Sequence, residues 1–204
     1  MSNPLRSRLM VALAAVFALA GVACADTDDD IEPDPPQNGE DTEQTDEAYN
    51  EADTEFLQLM VPHHEEAVEM AEMVPERTER QELNDLADAV IASQEAEIDE
   101  MSMMLEEAGS EPASMQELHD DHSDVDMPGM MDHAEMEQLG DASDEDFDVR
   151  FVEMMIEHHQ GAIVMAEDVL AEGEHPDVAQ LAEDVIDEQQ AEVEMMENWL
   201  QTWR

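Results

Sequence analysis

Two pairs of adjacent histidines, His63-His64 and His158-His159, each follow a methionine three residues before the first histidine, Met60 and Met155. At 3.6 residues per helical turn, this spacing places a thioether and two imidazoles on neighbouring positions of one helix face. Imidazole and thioether together suit soft copper(I), and a thioether stays unprotonated at any pH. Zinc, held by histidine and water, is the alternative, because imidazole serves both metals. Carboxylate-bridged iron fits less well. Di-iron bundles use Glu-x-x-His on facing helices, and here that spacing reads Met60-x-x-His63 and Met155-x-x-His158. The one Glu-x-x-His, Glu172 to His175, spans a turn and has no twin, and no carboxylate pair falls on the seam beside the histidines.

A second group of soft ligands lies in the connecting stretch from Ala108 to Ser143. It contains Met115, His119, His122, Met127, Met130, Met131, His133 and Met136, with His119-x-x-His122, Met127-x-x-Met130 and Met130-x-x-His133-x-x-Met136 spacings. This density reads as metal capture. The competing reading is a disordered insert of biased composition, since a loop this long inside a compact domain is either functional or disordered.

The elements that position the histidines come from a duplication. Phe56 to Val74 recurs as Phe151 to Val169 at a constant offset of 95 residues, and the match continues from Leu86, Gln94, Glu97 and Met101 to Leu181, Gln189, Glu192 and Met196. Phe56, Met60, His63, Ala67, Met70 and Val74 step by four and three, the mark of one buried helical seam; Phe151, Met155, His158, Ala162, Met165 and Val169 repeat it. His64 and His159 then flank the seam. The first helix is expected from Asp53 with Thr54 as its N-cap, and Pro62 inside it removes a hydrogen bond or kinks it. A second helix is expected over 81–107, stopped by Gly109 and Pro112. A third is capped by Ser143 or Asp144, and a fourth runs over 177–203 after Gly173 and Pro176. No segment alternates as a strand would. The expected fold is all-α, a four-helix bundle of two duplicated hairpins spanning 53–204. Fold-back brings Gln94 and Gln189 near the histidines, either to orient an imidazole or to face water at the bundle edge. Met73, Met101, Met103, Met104, Met195 and Met196 are expected in the core. Trp199 and Trp203, four apart on the last helix, are core or a dimer surface, the latter implying a homo-oligomer.

Composition bounds the setting. Against 57 acidic residues stand six basic ones, all arginine, for a net charge of −51. Nucleic acid is excluded as a partner, because binding it requires neutralising phosphates, and an anionic membrane surface would repel the chain. So much acid without lysine reads as adaptation to a salty exterior, where screening removes the self-repulsion. Residues 1–25 carry Arg6 and Arg8, an apolar run from Leu9 to Ala20 and then small residues, the layout of a signal peptide and too short for an ordinary spanning helix. The single cysteine, Cys24, stands in Gly21-Val22-Ala23-Cys24, which resembles the lipobox of bacterial lipoproteins and makes it a candidate lipid anchor; a cut after Ala25 would remove it. Residues 26–52, rich in Asp, Glu, Pro and Thr, read as a disordered acidic linker. The expected location is extracytoplasmic: secreted, periplasmic or lipid-anchored.

Phe-x-x-x-Met-x-x-His-His followed by Met-Ala, seen most fully in FVEMMIEHHQGAIVMA, resembles the signature of the domain of unknown function 305 family. The resemblance covers about Asp53 to Trp203 and implies a ferritin-like four-helix bundle outside the cytoplasm, with some members associated with copper through Met and His residues. Carried over by position, it implies His63, His64, His158 and His159 as ligands, with Met60, Met155, Met130 and Met131 as candidates. Pro62, Glu65 and Glu66 depart from the commoner pattern. The expected function is a copper-binding protein that buffers or hands on copper(I), with His119, His122 and His133 in the capture loop. A ferritin-like metal oxidoreductase and a metal-free interaction bundle are the competing readings. No phosphate loop, nucleophile elbow or Cys-x-x-Cys is present.

Overall fold

The computed structural model describes residues 48–114 and 127–203. The expected leader, Cys24, most of the acidic linker, Met115, His119 and His122 lie outside the described residues. The helices are α1 (Glu51–Glu72), α2 (Val74–Arg77), α3 (Gln81–Ala108), α4 (His133–Asp141), α5 (Asp144–Glu172) and α6 (Pro176–Trp203), and no strand occurs among the described residues. The fold is all-α, as the periodicity predicts. None of these helices is long and apolar enough to cross a membrane.

Helix ends follow local chemistry, with corrections. Asn50, not Thr54, caps α1: its side chain accepts from the Asp53 backbone N–H, and the Asp53 carboxylate accepts in return from the Asn50 N–H. Asp53 is buried and also accepts from the backbone N–H groups of Glu174 and His175, tying the start of α1 to the α5–α6 turn. Tyr49 stacks on His175 with ring centroids 4.0 Å apart, so residues 48–52 belong to the bundle rather than to the linker. Helix α1 runs unbroken through Pro62. Gly109, at φ +71°, ends α3 in the left-handed conformation that glycine adopts without steric cost. The expected loop over 108–143 is corrected in part: 133–141 is a helix, capped reciprocally by Asp132 and Glu135.

Helix α1 packs along α3, α5 along α6, and α1 against α5. Two apolar clusters fill the interior. One joins the second half of α1 and the start of α3 to the first half of α5 and to Met131, Leu139 and Met196. The other joins the first half of α1 and the end of α3 to the second half of α5 and the start of α6. Helices α1 and α5 are thus antiparallel, and the two hairpins are related by an approximate twofold axis. Each fully buried Leu, Phe or Met contributes roughly 1.5–3 kcal/mol by leaving water. Met101, Met104 and Met196 are core as expected, whereas Met103 and Met195 are exposed. Trp199 and Trp203 stack on each other 5.7 Å apart against the first cluster, with the Arg80 guanidinium 4.2 Å over the Trp203 ring.

Candidate metal centre

Between the two apolar clusters lies a polar layer. His63, His64, His158 and His159 are all fully buried, so the second histidine of each pair does not merely flank the seam. Glu66, Gln94 and Gln189 are buried with them. The offset repeat places the four rings symmetrically: His63 and His158 meet across the α1–α5 contact with ring centroids 3.9 Å apart. His64 and His159 point outward to the partner helices. His64 Nε2 lies 2.8 Å from a Glu97 carboxylate oxygen on α3, and His159 Nε2 lies 2.6 Å from Glu192 on α6. These two carboxylates come from the facing helices, not from the seams that carry the histidines. They occupy the ring-nitrogen contacts that fold-back suggested for Gln94 and Gln189. The glutamines neither face water nor hold an imidazole; Gln94 Oε1 and both amide atoms of Gln189 have no hydrogen-bond partner.

The connector between the hairpins breaks the symmetry. His63 Nε2 donates to the Pro128 carbonyl at 3.0 Å, and the Met131 backbone N–H donates to Glu66 at 2.7 Å. Gly129, at φ +81°, and Gly161 let this backbone lie directly on α5: a Cβ on Gly161 would collide with the Pro128 carbonyl. His158 Nε2, left without such a bond, stands 3.8 Å from the Glu66 carboxylate.

Burial sets the charge of the central pair. It lowers His63 to about 3, helped by the neighbouring His64, and it lowers His158 well below the ordinary value, helped by His63. Both rings are therefore neutral at physiological pH and keep a lone pair for a ligand. Burial pushes Glu66 up to about 7, against the opposing Met131 hydrogen bond. Nδ1 of all four histidines and Nε2 of His158 are buried with no hydrogen-bond partner. An unsatisfied buried polar atom costs about 1–3 kcal/mol, so this layer is expensive for a purely structural core. An ion that took the free lone pairs would offset part of that cost.

Met60 and Met155 are fully buried, one turn before their histidine pairs, in the clusters on either side of the layer. Met131 is buried against the first cluster and Met130 is half-buried beside it. His133 is exposed on the first turn of α4 and is not part of the buried layer. Among the described residues no three His, Cys, Asp or Glu side chains are grouped to hold one ion, so a closed site of nitrogen and oxygen ligands is not preformed. The donors that fit are paired imidazoles supplemented by thioether sulfur, the soft set. A groove of about 340 Å³ between α1 and α5 reaches Pro128 from the surface, lined by Met165 and rimmed by Glu55, Asp168 and Glu172.

Sequence reasoning missed Glu66, Glu97 and Glu192. For the last two a signal existed: they repeat at the 95-residue offset, and each lies one turn after its inward-facing glutamine. Glu66 has no such signal, because its twin is Gly161.

A family model described as Domain of unknown function (DUF305) matches residues 53–200. The chain belongs to the domain of unknown function 305 family. Several solved structures share its fold. A putative secreted DUF305 protein from Streptomyces coelicolor is 28% identical, with a TM-score of 0.66 over 74% of this chain and 93% of that one. CopM in its Cu(II)-bound form is 35% identical, with a TM-score of 0.64 over 74% of this chain and 97% of that one. In its Cu(I)-bound form CopM is 34% identical, with a TM-score of 0.61 over 74% and 96%. Among curated proteins, Uncharacterized protein L153 of Acanthamoeba polyphaga mimivirus is 38% identical over 55 residues, 27% of this chain; the match spans only 36% of that protein's length.

Proposed function

We propose that this DUF305 protein is an extracytoplasmic copper-binding protein that sequesters, buffers or hands on copper(I). The observation that carries the reading is the buried layer of four histidines whose Nδ1 atoms have no partner, flanked by Met60 and Met155. Neutral imidazole and thioether favour copper(I) over hard cations, with zinc as the alternative that imidazole also admits. CopM, of the same fold and 34% identical, is described in a Cu(I)-bound form, which supports the choice of metal. The leader-like residues 1–25 and the Streptomyces relative, described as a putative secreted protein, support a location outside the cytoplasm. In this reading His119, His122, His133 and Met130 serve as capture ligands for the ion, and Met131, whose backbone is bound to Glu66, lies where the connector meets the layer.

Anaerobic copper(I) titration against a competing chromogenic chelator tests the proposal. Wild type competes. Changing His63, His64, His158 and His159 together to alanine abolishes competition, whereas changing His119, His122 and His133 to alanine leaves the tight site in place. Met60→Leu with Met155→Leu, which preserves volume, weakens binding without unfolding the bundle. No competition by wild type would sink the copper reading and leave zinc or a structural bundle. Steady oxygen consumption with added copper(I) would instead favour the oxidoreductase.

A further inference from the structure

The two outer histidines are each held by a carboxylate through the same ring atom. His64 Nε2 meets Glu97 at 2.8 Å and His159 Nε2 meets Glu192 at 2.6 Å, at twin positions of the duplication. A carboxylate offers only acceptor oxygens, so the hydrogen in each contact belongs to Nε2. The other nitrogen, Nδ1, is buried in both rings and faces no hydrogen-bond partner. A hydrogen there would have no acceptor, and removing it leaves a buried lone pair free for a ligand. The imidazoles are wholly buried while the carboxylate side chains are only 15% and 13% exposed, so little water competes for Nε2.

We infer that Glu97 and Glu192 are positioning residues for the metal layer: each takes the Nε2 hydrogen, fixes its histidine in the tautomer with a free Nδ1, and makes Nδ1 the atom that binds a soft monovalent cation. The inference rests on the proposed metal-binding function for its ligand, but the tautomer is a property of the metal-free protein. A carboxylate on the far nitrogen also raises the basicity of the ligating one, and loss of such outer partners typically weakens metal binding 10–100-fold. Glutamine is the informative replacement. Its amide presents either an oxygen or an N–H to Nε2, so it keeps the volume and the hydrogen bond but no longer dictates the tautomer.

The test is two-bond proton–nitrogen NMR of the histidine rings in the full chain, first without metal and then with silver(I) as a diamagnetic probe. Wild type shows His64 and His159 protonated on Nε2, and silver(I) moves their Nδ1 resonances. Glu97→Gln mixes the tautomers of His64 alone, Glu192→Gln those of His159 alone, and each lowers silver(I) affinity 10–100-fold. Glu100→Gln, an exposed site one turn from Glu97, changes neither. Protonation on Nδ1 in the metal-free protein, a silver shift at Nε2, or unchanged tautomers in both variants would overturn the inference while leaving metal binding intact. No silver shift at any imidazole of wild type would overturn the metal reading and the ligating role together.

Discussion

The two hairpins treat their histidine pairs alike at the rim and differently at the centre. His64–Glu97 and His159–Glu192 are near-copies across the approximate twofold axis, at 2.8 and 2.6 Å. The central rings diverge: His63 donates to the Pro128 carbonyl, while the His158 ring nitrogens have no hydrogen-bond partner and Nε2 stands 3.8 Å from the buried Glu66. Position 66 in one repeat is glutamate; position 161 in the other is glycine. A single covalent connector joins the hairpins, and one strand of backbone cannot lie symmetrically over a twofold axis. Where it presses on α5 the helix must give up a side chain, at Gly161. Where it passes α1 its freed Met131 N–H needs an acceptor, supplied by Glu66. The duplication preserves what each hairpin makes internally and loses what the connector crosses.

The largest expected break of this comparison is Gly161→Ala. Its Cβ would collide with the Pro128 carbonyl, forcing the connector off α5 at a cost of about 3 kcal/mol in urea denaturation. Glu66→Ala removes the acceptor on the other side and leaves the Met131 N–H unsatisfied, costing about 2 kcal/mol with faster amide exchange at Met131. Glu66→Gln retains an acceptor oxygen, and less than half that loss is expected.

A pH series sharpens the difference between the central groups. Burial lowers His63 to about 3 and His158 well below its ordinary value, so the folded state binds fewer protons than the unfolded chain below about pH 6.5. The contribution of His63 is whole above that pH and is lost as pH falls toward about 3, and that of His158 is lost in the same direction. Each histidine adds a slope of about 1.4 kcal/mol per pH unit. His158→Gln removes one such increment, so it is expected to lose about 1.4 kcal/mol less than wild type between about pH 6 and 5, and the difference cancels the self-repulsion common to both. Glu66 has the opposite sign: raised to about 7, it contributes stability that is present below its ordinary value of 4.5 and lost as pH rises. Glu66→Gln therefore steepens the loss on acidification. The smallest effect belongs to the tie between the hairpins at the far end of α1. Asn50→Ala removes the cap of α1 and is expected to cost about 1 kcal/mol in thermal denaturation.

Much of this architecture was legible in the residues. A four-three step of apolar side chains dictates a helix that buries one stripe, and a strict 95-residue offset dictates two hairpins alike. The helix stops at Gly109 and the α6 start near Pro176 follow from backbone preferences that act within a few residues. The paired histidines were likewise found from spacing, because a helix face is a local property. The orienting carboxylates escaped because a glutamate at a solvent-like position reads as surface charge in a chain of net charge −51. Only the fold-back of α3 and α6 brings Glu97 and Glu192 to the rings, and it passes over the nearer-looking Gln94 and Gln189. The seating of Met131 and of the helix 133–141 on the bundle escaped for the same reason: Met131 and Leu139 are buried only because the hairpins already present an apolar cluster to receive them. Local sequence thus determined the helices, the repeat and which histidines share a helix face with methionine. Tertiary packing decided which nitrogen atoms are left free, since that depends on partners 33 to 65 residues away along the chain.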